Sequence, residues 1–257
     1  MTDLTFVVGV GVIGLLIGSF LNVCIYRLPK GETILWGRSH CQGCGRQIRA
    51  WENIPVLSWL LLRGRCSGCR ASIAIQYPVV ELMTGLIFAG LAWQFGPTLL
   101  LLSRLIFAAA MVVLFTVDLN ERILPDAITL PGIAVGLGFS LFLPPGIRDA
   151  IIGAVACSLV LWGVGEAMTR ILGKDALGFG DVKMMAMMGA FLGWQLTIVA
   201  LFLASVLGSI GGVTLVAVTG NRGYLIPLGS FLAIGALAAV AVGEPLIGWY
   251  VGRLLAP

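Results

Sequence analysis

Residues 98–118 read Thr98-Leu-Leu-Leu-Leu-Ser-Arg104-Leu-Ile-Phe-Ala-Ala-Ala-Met-Val-Val-Leu-Phe-Thr-Val117-Asp118. A surface helix of a soluble domain shows an apolar stripe on one side and polar residues on the other. This stretch is apolar on every side apart from Arg104, it is as long as the roughly 20 residues a helix needs to cross a bilayer, and it ends on a carboxylate. Comparable runs cover Leu4–Tyr26, Pro78–Phe95, Ala127–Leu143, Ala150–Ile171, Val182–Gly193, Gln195–Val218 and Ile226–Val242. The chain is 59% hydrophobic and 11% charged, against about 25% charged in an average soluble domain. These runs predict an all-α polytopic membrane protein with about eight transmembrane helices and the lipid bilayer as its surroundings. The sixth run, Val182–Gly193, is short for a crossing and suits a segment that starts below the membrane surface or re-enters it.

With the N-terminus outside, thirteen of the sixteen Lys and Arg fall on inner segments: 27–77, 119–126, 172–183, 219–225 and the inner end of the fifth helix. They include Arg38, Lys174 and Arg222, and only Arg104, Arg148 and Arg253 are left for the outer half. This positive-inside asymmetry makes the 27–77 segment cytoplasmic and the N-terminus periplasmic. The formal net charge of +4 reflects that topology, and nucleic-acid binding is not expected. No small-residue cleavage site precedes Arg27, so Leu4–Tyr26 reads as a retained helix and not as a signal peptide. Three parts follow: a first helix over 1–26, a polar loop domain over 27–77, and a membrane domain over 78–257. Small residues at Gly14/Gly18 and Gly132/Gly136 read as close helix packing, and Met184, Met185, Met187 and Met188 as core filling.

The polar loop carries Cys41-Gln-Gly-Cys44 and Cys66-Ser-Gly-Cys69. Two Cys-x-x-Cys pairs at this separation are the spacing of a four-cysteine zinc ribbon, in which metal bonds stabilise a fold too small for a core of its own. A disulfide framework or a redox dithiol is the competing reading, and a reducing cytoplasm with a doubled motif disfavours both. Four thiolates complete a tetrahedron and leave no open position, so the metal is expected to be structural. Cys24 and Cys157 lie in apolar helices and read as inert.

The chain has a single histidine, His40, on which any Ser-His-Asp or Cys-His triad would have to be built, and His-Glu-x-x-His chemistry needs two, so the intramembrane chemistry must use carboxylates. Ionisable groups near membrane depth are costly and mark function. Asp118 ends the third helix in Val117-Asp118-Leu-Asn-Glu-Arg122-Ile-Leu-Pro125-Asp126, and Asp181 follows Gly178-Phe-Gly180 at the start of the sixth, both on the inner side. A pair of aspartates can hydrolyse an amide by proton transfer. One carboxylate takes a proton from water while the other, protonated, donates to the carbonyl oxygen. Gly178 and Gly180 leave room for a peptide backbone beside Asp181. Taken singly, Asp118 can pair with Arg122 and Asp181 can act as a first-turn acid near Lys183. Asp126 reads as an N-cap for the fourth helix and as the alternative partner of Asp181.

The ordered set Gly18-Ser-Phe-Leu-Asn22-Val-Cys-Ile-Tyr-Arg27-Leu-Pro29, both cysteine pairs, Trp51-Glu-Asn-Ile-Pro55-Val-Leu-Ser58-Trp59, Tyr77-Pro-Val-Val-Glu81-Leu, Asp118 through Asp126, and Gly178-Phe-Gly-Asp181-Val-Lys183 resembles the type IV prepilin leader peptidases. These are inner-membrane aspartyl proteases of the glycine-x-glycine-aspartate class. The resemblance implies Asp118 and Asp181 as the catalytic pair, with Gly178, Gly180, Lys183 and Asp126 in support. It implies as substrate the leader of a prepilin or type II secretion pseudopilin, cut after a glycine at the cytoplasmic face of the bacterial inner membrane. It also implies N-methylation of the new terminus with S-adenosylmethionine, associated with the cysteine region, with Gly64 at the family's methylation-linked glycine. The chain departs from the family pattern at Gln42, where a proline is common, and in Pro227-Leu-Gly229-Ser230, where the family closes on a proline. A proton-coupled transporter and a non-enzymatic zinc-ribbon scaffold for pilus assembly are the rival readings. The first lacks a polar path outward, and the second leaves the shared depth of the two aspartates without a role.

Overall fold

The computed structural model describes residues 3–34, 39–173, 177–220 and 227–255. Arg38, Lys174 and Arg222 of the charge count, and Ile226 at the start of the last expected span, lie outside the described residues. The chain forms two compact units, Met1–Val113 and Leu114–Pro257. Among the described residues there are no strands, only the isolated bridges His40–Gln47 and Arg65–Ser72.

In the first unit α1 (Leu4–Arg27) starts on Asp3, whose side chain accepts the Thr5 N–H at 3.0 Å. A short 3-10 turn over Leu28–Lys30 ends it at Gly31. The loop contains the single-turn helix α2 (Leu57–Leu61) and leads into α3 (Gln76–Phe95). Helices α1 and α3 lie against each other where small residues let the backbones meet. A Cβ on Gly14 would stand 2.9 Å from the Gly85 Cα, and one on Gly18 would stand 2.7 Å from the Glu81 Cα. That is how helices associate in lipid, where apolar surface alone gives no preference for a neighbouring helix. Val8, Val12, Leu16 and Phe20 form an exposed stripe on α1, a face suited to lipid.

Helix α4 (Leu99–Glu121) passes from this unit into the second, which continues with α5 (Asp126–Ser140), α6 (Ile147–Ile152), one π turn over Gly153–Cys157, α7 (Ser158–Leu172), α8 (Phe179–Thr219) and α9 (Leu228–Leu255). Gly193 breaks α8 with φ 73° and ψ 172°, a conformation that a residue with a Cβ rarely adopts. The first arm packs its Gly189 directly on Gly153. Met184, Met185, Met187 and Met188 are fully buried. Gly132 faces Met187 and Gly136 faces Phe191 and Ala190, and Ser140 Oγ donates to the Ala190 carbonyl at 2.9 Å.

The helices follow the eight apolar runs, but the number of crossings differs from eight. Among the described residues, six helices are long and apolar enough to span. Helix α5 has 15 residues, too short for the hydrocarbon thickness at 1.5 Å per residue. The sixth and seventh runs form the two arms of α8, and the first arm, 179–192, is likewise short. Pro125, not Asp126, occupies the N-cap of α5, and Asp126 is its first residue.

Candidate active site and metal-binding module

Four helix ends meet in the second unit: the C-terminus of α4 and the N-termini of α5, α8 and α9. Asp118, in the last turn of α4, is 5% exposed, and Asp181, in the first turn of α8, is 9% exposed. Leu124, between α4 and α5, lies against both Gly180, beside Asp181, and Gly229, beside Asp118. Asp118 Oδ2 accepts the Ser230 backbone N–H at 2.6 Å and the Ser230 hydroxyl at 2.8 Å, and the Ser230 Oγ also lies 3.2 Å from the Phe115 carbonyl. Each carboxylate has a glycine at its side. A Cβ on Gly178 would stand 3.2 Å from Asp181 Oδ2, and one on Gly229 would stand 3.1 Å from Asp118 Cγ and Oδ2. Gly178 caps α8 in an extended conformation, and Asp181 N donates to its carbonyl at 3.0 Å. A Cβ on Gly180 would meet the Leu124 Cβ at 3.0 Å, so its lack of a side chain serves packing of the α4–α5 connection. Lys183 Nζ binds both oxygens of Asp126 at 2.7 Å and lies 5.2 Å from the Phe179 ring centre. This ion pair ties α5 to α8 and occupies Asp126.

Sequence reasoning passed over Ser230 and Gly229 as functional residues. Their signal lay in the departure Pro227-Leu-Gly229-Ser230, in which a serine brings a hydroxyl and a backbone N–H that proline lacks.

In the first unit the two cysteine pairs form matching turns. Cys41 N donates to the Arg46 carbonyl and Gly45 N to the Cys41 carbonyl, both at 2.8 Å. Cys66 N donates to the Ala71 carbonyl at 2.9 Å and Arg70 N to the Cys66 carbonyl at 3.0 Å. The fourth residue after each leading cysteine has positive φ, 70° at Gly45 and 61° at Arg70. The four ligand sulfurs lie within 4.8 Å of one another, with Cys41 Sγ and Cys69 Sγ at 3.7 Å, and none is in a disulfide. Four thiols converging this closely fit a metal ion. Backbone N–H groups of Cys69 and Gly68 draw the Cys66 thiol down to about 6, while Cys69, despite the Ala71 N–H, is pushed up to about 11 by its hydrogen bonds to Cys44 and the other thiols, so the first proton leaves from Cys66.

Glu52 joins the two turns. It accepts Arg46 Nη2 on both oxygens at 2.8 Å, Ser67 Oγ at 2.5 Å and the Arg49 N–H at 3.0 Å. Arg46 and then Ser67 hold its carboxyl down at about 2. Glu81, on α3 and 8% exposed, accepts the Val56 N–H at 2.7 Å. Val56 has φ 62°, an outlier for a β-branched residue, and its amide is aimed at that carboxylate. Gly64 has φ 66°, and a Cβ there would stand 2.8 Å from Trp59 Cζ2.

The molecule is thus a multi-pass membrane protein with a buried acidic pair where helix ends converge and a four-cysteine module able to hold a metal. Its sequence matches the model of the bacterial peptidase A24 N-terminal domain over residues 12–95 and that of the type IV leader peptidase family over residues 105–213. Among curated relatives named prepilin leader peptidase/N-methyltransferase, one from Pseudomonas putida is 40% identical over 91% of this chain and 90% of its own. One from Aeromonas hydrophila is 39% identical over 94% and 92%, and one from Pseudomonas aeruginosa is 36% identical over 96% and 94%. No solved structure matches. The chain belongs to the type IV leader peptidase family.

Proposed function

We propose that the chain is an aspartyl endopeptidase of the bacterial inner membrane. It removes the leader of type IV prepilins or type II secretion pseudopilins after a glycine, on the cytoplasmic side, and then N-methylates the new terminus. The observation that carries the reading is the burial of Asp118 and Asp181 at two helix ends that share Leu124 as a neighbour. Two carboxylates in one dry site favour the state in which the pair shares one proton. The ionised member takes a proton from water as that water attacks the scissile carbonyl. The protonated member donates to the carbonyl oxygen, giving a tetrahedral intermediate. Its collapse expels the amine, which takes a proton from the acid that received one. Ser230 steadies Asp118 through Oδ2, leaving Oδ1 for proton transfer. A basic leader followed by an apolar helix places its junction at the inner interface, where the positive-inside reading puts the dyad.

The four cysteines Cys41, Cys44, Cys66 and Cys69 would hold one Zn²⁺, which supplies folding energy to the loop domain. S-adenosylmethionine, when bound, supplies an electrophilic methyl group. The dyad is tested with purified protein in detergent and a prepilin, the products being read by mass spectrometry. Asp118→Asn and Asp181→Asn should each lower kcat by more than about 10³-fold, since general acid–base groups contribute about 10²–10⁴ each and act as a unit. Asp126→Asn should keep most activity, because a half-exposed ion pair contributes about 0–1 kcal/mol. Cleavage by Asp118→Asn together with loss in Asp126→Asn would overturn the pairing.

A further inference from the structure

The loop domain of the first unit carries an apolar face that its own fold does not use. Helix α2 turns Trp59 inward: the indole Nε1–H donates to the Ile73 carbonyl at 3.2 Å, and the bare Cα of Gly64 lies behind the ring. Leu57, Leu60 and Leu61 stand at i, i+3 and i+4, the spacing that puts side chains on one side of a helix. They are 58%, 56% and 83% exposed. Trp51 and Ile54, just ahead of the helix, are exposed as well. An uncovered apolar face rimmed by polar residues marks a surface that meets a protein or a membrane.

Two observations decide between these partners. The first is depth. The Val56 N–H, at the start of α2, donates to Glu81 Oε2 at 2.7 Å. Glu81 lies five residues into the spanning helix α3, about 8 Å along its axis at 1.5 Å per residue. On either side of it Val79, Leu82 and Met83 are exposed, as they are where a spanning helix meets lipid. The bond therefore pins α2 beside lipid-facing helix, at a depth comparable to the roughly 5–10 Å by which interfacial helices bury their apolar faces. The second observation is charge. Arg63 and Arg65 follow α2 and are exposed, and guanidinium groups match phosphate. Trp51 adds an aromatic ring of the kind enriched at headgroup level.

We propose that α2 is an interfacial helix: Leu57, Leu60 and Leu61 lie among the acyl chains of the inner leaflet, and Arg63 and Arg65 meet headgroup phosphates. The choice of leaflet rests on the positive-inside reading above. The cysteine-bearing loop domain is then a membrane-bound module and not a free cytoplasmic one. A five-residue helix is far too short to register as a span, so its outward apolar face shows only in the fold.

The test uses the full, zinc-loaded chain in nanodiscs of phosphatidylcholine and phosphatidylglycerol in equal parts. The photo-crosslinker p-benzoylphenylalanine is placed singly at positions 57, 60 and 61, and at exposed position 42 in the first cysteine turn as the aqueous control, and the adducts are read by mass spectrometry. Phospholipid adducts on α2 should exceed those at position 42 about tenfold. Equal yields would overturn the proposal. Adducts to a second copy of the chain, or to added prepilin, in place of lipid would also overturn it and would assign the face to that protein. In the same nanodiscs, combined Leu57→Ser, Leu60→Ser and Leu61→Ser should keep zinc and speed tryptic cleavage after Arg63 and Arg65 about tenfold, because lost burial frees the helix from the leaflet. An unchanged rate with zinc retained would place the face in water. Should the triple variant lose its metal, the crosslinks, made on chains that keep it, decide the matter.

Discussion

Gly229→Ala is the sharpest probe of whether Asp118 is a reactive group. The new Cβ would stand 3.1 Å from Asp118 Cγ and Oδ2 and 3.0 Å from Leu124 Cδ1, tighter than ordinary carbon contacts of about 3.5–4.0 Å. The carboxylate must yield by a few tenths of an ångström. It cannot do so freely, because the residue next to Gly229 grips Oδ2 through two hydrogen bonds of 2.6 and 2.8 Å. Overpacking of this kind costs about 1–3 kcal/mol. If that strain falls on the geometry needed for proton transfer, kcat drops by about 5- to 150-fold at about 1.36 kcal/mol per tenfold, while KM for the prepilin stays near wild type. Gly138→Ala is the control, since nothing lies within 4 Å of its added Cβ. Steady-state cleavage of a prepilin in detergent, with thermal unfolding to compare stabilities, makes the measurement. Equal kcat in Gly229→Ala and Gly138→Ala would refute the reasoning, and so would a loss confined to KM.

Metal analysis of carefully prepared protein should find one zinc per chain, lost in the Cys41→Ser, Cys44→Ser double variant together with methylation; less than about half an equivalent in wild type would remove the ribbon. Glu52, held at about 2 against an ordinary 4.5, contributes stability that is complete above the unfolded value and is lost as pH falls through the folded one. Glu52→Gln should therefore release zinc to a chelator faster than wild type by a ratio that stays flat from about pH 8 to about pH 5. A ratio that collapses within that window would mean the carboxyl titrates there.

The elements legible in the sequence were those set by local composition. Asp118 and Asp181 stood out because each is an acid at the end of an apolar run, and the cysteine pairs because ligand spacing is a local property. The number of crossings was less legible, since helix termination at Ser140 and the φ of Gly193 depend on tertiary packing that apolar runs do not encode. Ser230 and Gly229 were hidden for a stronger reason. The Ser230 contact with Asp118 spans 112 positions in the chain, so the departure at Pro227–Ser230 marks the stretch without showing its partner. Glu52 carries no local mark of its role, which arises only where the two cysteine turns come together around it.

The glycines beside the dyad also bear on how a peptide bond reaches it. A substrate that stays helical keeps its carbonyl in an internal hydrogen bond and its backbone behind side chains, so hydrolysis requires a locally extended chain. In a low-dielectric site such a chain needs partners for its freed polar groups. Gly178 is extended, with φ −75° and ψ 137°, and carries no side chain between its backbone and Asp181. At Gly229 the bare Cα is closed over by Asp118 and Leu124, so the approach lies on the Gly178 side, where under the proposed mechanism an extended substrate backbone can lie against the Asp181 carboxylate.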